Sequence, residues 1–115
     1  MEKERSFVVP YDFTTASEKA LDQAVELSKI EGSKVIILHV ISKDAERDEA
    51  VNKLKHIISS FSTLKTLEYK VEKGSIFTTI GEVAEKSNSS AVIMGTHGVK
   101  GMQKVFGSFA MKVII

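Results

Sequence analysis

Residues Val35-Ile36-Ile37-Leu38-His39-Val40-Ile41 form an apolar run interrupted by a single histidine. Side chains alternate between the two faces of a strand, so a strand apolar at consecutive positions must bury both faces, as an inner strand of a parallel sheet does. The run is far shorter than the ~20 residues a membrane-spanning helix needs. The rest of the chain must therefore supply neighbouring strands and helices to cover it.

The flanking segments have the required periodicities. Ser6 to Tyr11 is a short β-branched run ended by Pro10 and Asp12, and Thr15-Ala16-Ser17-Glu18 has the form of a capping box that opens a helix. Ala20, Leu21, Ala24, Val25, Leu27 and Ile30 follow at helical spacing until Gly32 stops the helix. After the apolar strand, Val51, Leu54, Ile58 and Phe61 form one helical stripe, with Glu46, Arg47, Asp48, Lys53 and Lys55 on the solvated side. Leu67 to Glu72 alternates apolar and charged residues, which predicts a strand nearer a sheet edge. Gly74-Ser75 opens a helix with Ile76, Ile80, Val83 and Ala84 on its apolar side, and Ser87 to Ser90 turns into the strand Ala91 to Met94. The order is βαβαβαβ. Strands joined by helices run parallel, so a doubly wound α/β sheet with helices on both faces is expected, with ligands binding beyond the carboxyl ends of its strands.

Composition narrows the function. The 115 residues suit one domain; 43% are apolar and 27% charged, proportions of a globular chain. The net charge of +1 offers no basic face for nucleic acid, and the absence of cysteine removes disulfides and thiolate chemistry. The N-terminal Met1-Glu2-Lys3-Glu4-Arg5 lacks the order of a secretion signal, so the reading is a cytoplasmic protein with neither membrane nor nucleic acid as partner. There is no G-x-S-x-G nucleophile elbow, no Walker pattern and no carboxylate cluster with metal-ligand spacing.

One segment does carry chemistry. The last strand breaks into Gly95-Thr96-His97-Gly98, and Gly107-Ser108 follows after eight residues. A strand entering a glycine-spaced turn and a small hydroxyl residue is a common way to present backbone N–H groups to a phosphate.

Together, Val9-Pro10-Tyr11-Asp12-Phe13-Thr14, Ile37-Leu38-His39-Val40 and Met94-Gly95-Thr96-His97-Gly98 through Gly107-Ser108 resemble the universal stress protein family, over the whole chain. The resemblance implies a Rossmann-like fold of the adenine nucleotide alpha-hydrolase type with strand order 3-2-1-4. It implies a regulatory module that binds ATP or a related adenine nucleotide at the carboxyl ends of strands 1 and 4; Mg²⁺ can accompany the phosphates, and slow hydrolysis would be incidental. On this reading Asp12 lies near the ribose or the adenine edge. Pro10, Val40 and Met94 border the base, Gly95, His97, Gly98, Gly107 and Ser108 form the ribose and phosphate cradle, and Tyr11 and Phe109 are counted with them as nucleotide-binding positions. Glycine at 95 and 98 would let backbone approach the ligand without an intervening Cβ. The family signature G-x2-G-x9-G-S/T is shortened here by one residue before Gly107, and Phe109 stands where a smaller residue is usual.

The family also leads one to expect a fifth strand, through which subunits pair. Phe109 to Ile115 reads instead as a helix that opens near Ser108 and stops without a cap, so residues 1–115 are expected to be a single domain cut short, with the fifth strand absent. The strand Ala91 to Met94 would then be an open apolar edge, and a homo-oligomer or a tandem-domain partner would cover it.

Plainer roles compete with these. Asp12 also suits a turn cap, His39 a hydrogen-bonded core histidine, and Lys100 and Lys104 a solvated loop. A family member that binds no nucleotide and serves as a dimerisation or interaction module is the alternative. A phosphoacceptor domain using Asp12 would want a cluster of acids, and Asp12 stands alone.

Overall fold

A computed structural model describes residues 5–61, 66–95 and 110–113. Its elements in chain order are β1 (Ser6–Pro10), α1 (Thr15–Glu31), β2 (Lys34–Ile41), a 3-10 turn (Asp44–Glu46), α2 (Arg47–Ser59), β3 (Leu67–Lys73), α3 (Ile76–Lys86), β4 (Ser89–Gly95) and β5 (Ala110–Val113). All strand pairs are parallel, in the order β3-β2-β1-β4-β5. The expected order 3-2-1-4 is present, and helices cover both faces.

The apolar run does what its pattern requires. On one face Val35, Ile37 and Ile41 of β2 join Phe7 and Val9 of β1, Ala91 and Ile93 of β4, and the buried stripes of α1 and α2. On the other face Ile36 and Leu38 join Val8, Val92, Met94 and the Ile80, Val83 and Ala84 side of α3. The four residues Val35, Ile36, Ile37 and Leu38 are at most 1% exposed, so both faces of the strand are dry. β3, with its charged alternate positions, lies at the edge.

Two expectations are corrected. A fifth strand is present: Ala110–Val113 pairs with Val92–Gly95 of β4, where a helix was expected. Pairing with β4 satisfies backbone groups that an apolar edge would leave open, and this tertiary gain outweighs the weak local preference of a short segment. The Ala91 to Met94 strand is therefore internal. The capping box of α1 is also one residue earlier than read. Thr14 is the N-cap, its hydroxyl accepting from the Ser17 N–H, and Ser17 at the third helical position answers it in place of Glu18. At the far end Gly32, with φ +73°, closes α1 by donating to the Ser28 carbonyl.

Candidate functional site

β1, β2 and β4 end on the same side of the sheet, and their last residues meet the first turns of α1 and α3 around one crevice. It is partly open to solvent. Of the sequence-predicted residues, Pro10, Tyr11, Asp12, Val40, Met94 and Gly95 all line it. His97, Gly98, Gly107, Ser108 and Phe109 lie outside the described residues.

The walls are mostly apolar. Pro10 closes β1, Leu38 and Val40 come from β2, Met94 from β4, and Ile76 and Ile80 from α3. Ile76, on the apolar side of α3 as read, stays 42% exposed and lines the crevice. Among the described lining residues there is no lysine or arginine, and Asp12 is the single carboxylate. Such a slot suits a flat apolar body with hydrogen-bond donors at its rim. Phosphate charge would have to be met from elsewhere.

Asp12 is held by its own loop. Its Oδ1 accepts from the Thr14 N–H at 3.2 Å and from the Thr14 hydroxyl, and its backbone N–H donates to Ser17 Oγ at 3.4 Å. Partial burial works to raise its pKa, but the bonds from Thr14 and Ser17 together hold the carboxyl below its ordinary value. The turn-cap role is thus real, and it leaves Oδ2 without a partner among the described residues. A weakly basic, already engaged carboxylate can accept from a hydroxyl or an amine but is poorly suited to take a proton.

Between Asp12 and Thr14, Phe13 adopts φ +63°. A left-handed non-glycine residue costs on the order of 1–3 kcal/mol and needs its surroundings to hold it. Here the ring is held on three sides: Tyr11 meets it edge-on at 5.2 Å, His39 packs at 4.8 Å, and Lys53 Nζ stands 5.1 Å over it. Tyr11 itself is 5% exposed, and burial, followed by the charges of Glu18, Asp22 and Asp12, pushes its phenol up to about 12.

Gly95 is small for a reason the sequence did not show. A Cβ at 95 would lie 2.8 Å from the Ala16 Cβ and 2.9 Å from the Ala16 carbonyl oxygen. Its missing side chain lets the end of β4 meet the first turn of α1, and any larger residue would push that turn away. Sequence reasoning also passed over Thr14, Ala16 and Ser17 as lining residues. The Asp12-x-Thr14 spacing of an Asx turn and the Thr14-x-x-Ser17 spacing of a cap were the available signals. His39, read as a hydrogen-bonded core histidine, is instead half-buried and lines the crevice, and its Nδ1 lies 2.7 Å from the Tyr11 carbonyl oxygen.

No group of three His, Asp or Glu side chains able to hold a metal occurs among the described residues, nor is any described helix long and apolar enough to cross a membrane.

Comparison with solved structures places this arrangement among known folds. A universal stress protein, UspA, from Lactobacillus plantarum matches with a TM-score of 0.77 at 16% identity, covering 100% of this chain and 99% of that one. One from Archaeoglobus fulgidus in complex with dAMP matches with a TM-score of 0.71 at 18% identity, over 99% and 96% of the two chains. One from Arabidopsis thaliana with AMP bound matches with a TM-score of 0.72 at 13% identity, over 96% and 91%. At these identities the likeness is one of fold. A search of curated protein sequences finds none that matches. Residues 4–114 match the profile of the Universal stress protein family, and with its five parallel strands and the crevice at their carboxyl ends the chain belongs to that family.

Proposed function

We propose that this chain binds an adenine nucleotide, ATP or a relative of it, in the crevice at the ends of β1, β2 and β4, and that it does so as a regulatory module rather than an enzyme. The observation that carries the reading is convergence: Pro10 and Asp12, Val40 and Met94, from three segments far apart in sequence, line one slot that is apolar on its walls and has a carboxylate at its mouth. That chemistry suits a purine with a ribose hydroxyl or exocyclic amine donating to Asp12. The phosphates, with any Mg²⁺ they carry, would extend toward the Gly95 end of β4, from which the glycine segment continues. Solved structures of related fold with AMP, dAMP and cyclic AMP add support. Asp12 is the only acid lining the crevice among the described residues, and it is engaged by Thr14.

Titration with ATP, ADP, AMP and cyclic AMP, followed by heat and by thermal shift, tests this. At least one nucleotide should give saturable binding, and at a hundredfold excess over Kd it should stabilise the fold by about 2.7 kcal/mol. Val40→Trp, which fills the slot from β2, should remove the binding while leaving a cooperative unfolding transition. No heat and no shift with any of the four would overturn the reading and leave the interaction module.

A further inference from the structure

β1 and β2 separate abruptly at the crevice. The ladder holds through Pro10 opposite Leu38, and the Tyr11 N–H still donates to the Leu38 carbonyl at 2.8 Å. In a parallel pair the Tyr11 carbonyl would next accept from the backbone N–H of Val40. No such backbone bond closes the pair. The carbonyl is taken instead by the side chain of His39, at 2.7 Å from Nδ1. A carbonyl can only accept, so Nδ1 carries the proton. The same imidazole packs on the Phe13 ring at 4.8 Å. One side chain of β2 therefore grips the loop after β1 at two successive places, immediately before Asp12 and immediately after it.

We propose that His39 is the positioning residue of the crevice: by donating from Nδ1 to the Tyr11 carbonyl in place of the Val40 N–H, it ends the β1–β2 ladder, holds the crevice open between Val40 and Asp12, and fixes the Asp12 turn. From the other side Thr14 and Ser17 hold the same turn to the start of α1. Asp12 is thus clamped between β2 and α1, and the side-chain part of the β2 half is His39, through its bond to the Tyr11 carbonyl and its contact with the Phe13 ring. The inference rests on the nucleotide reading for its consequence in binding but on this geometry for its cause.

Three substitutions separate the bond from mere bulk. The Asn side-chain N–H₂ is attached to Cγ, as Nδ1 is in histidine, so His39→Asn can keep the bond. His39→Gln carries its amide one carbon farther out, and His39→Leu has no donor. With AMP as the probe in calorimetric titration, His39→Leu and His39→Gln should weaken binding about tenfold, the order expected when a part-buried carbonyl loses its donor. His39→Asn should restore binding to within about threefold of the natural chain. Equal affinity of the Leu variant and the natural chain would overturn the proposal, as would an Asn variant no better than Leu.

A second readout does not depend on nucleotide. Nitrogen-15 spectra of the free protein should show the neutral His39 ring protonated at Nδ1, and His39→Leu should speed amide exchange at Asp12 and Thr14 while His39→Asn does not. The opposite tautomer, or unchanged exchange in the Leu variant, overturns the proposal. If the natural chain binds no AMP or other adenine nucleotide, the nucleotide reading falls, and the spectra and exchange rates still decide the role of His39.

Discussion

Tyr11 sits where two demands meet. Its backbone extends the β1–β2 ladder by one bond, while its side chain enters the layer beneath α1 and α2. Burial, then the nearby charges of Glu18, Asp22 and Asp12, all oppose ionisation, and its pKa rises to about 12. Because the folded value is above the unfolded one of ~10, the neutral phenol's contribution to stability is complete below pH ~10 and is lost as the pH climbs through about 12. Alkaline unfolding followed by circular dichroism should therefore show a steeper loss of stability above pH ~10 in the natural chain than in Tyr11→Phe. At this scale the sequence was uneven in what it disclosed. Pro10, Asp12, Val40 and Met94 were recognisable as a set through the resemblance to the universal stress protein family, and each stands near the end of a segment whose type was clear. The left-handed turn at Phe13 and the contact of Gly95 with Ala16 were not, since both arise from packing between segments distant in the chain.

The helices show how a short local rule places a functional loop. Thr14 caps α1 and at the same time donates to Asp12, so the start of the helix and the orientation of the carboxylate are one arrangement. Thr14→Ala should lower stability by about 1 kcal/mol in urea unfolding, the usual worth of an N-cap. The same variant should bring the Asp12 pKa back toward its ordinary value, because the largest of the bonds that depress it is the one from the Thr14 hydroxyl. Reading the cap at Thr15 instead of Thr14 was a small error with a clear cause: Glu18 completes the commoner sequence pattern, but Ser17 is the residue that reaches back to Thr14. α2 was easier, its stripe of Leu54 with Val51 and Ile58 lying against the core as the spacing implies, while Phe61 packs there from beyond the end of the helix. The strong periodicity of a longer helix tolerates an uncertain end; a cap does not.

Over the whole molecule, β5 changes what the sheet offers to solvent. It pairs with β4 from Val92 to Gly95 and makes that apolar strand an inner one. Removing residues 110–115 should uncover the β4 edge, and light scattering should then show concentration-dependent association that the full chain lacks. Equal behaviour of the two chains would mean that the pairing does not protect the edge. The sequence by itself determined the alternation of strands and helices, the burial of β2 on both faces, and the class of sheet, because these follow from side-chain periodicity that is written locally. Only the tertiary structure decided that Ala110–Val113 is a strand and that β1 and β2 part at His39. It also decided that Gly95 must be small for Ala16. Each of these depends on which backbone groups and side chains meet across the fold, and such meetings have no period in the sequence.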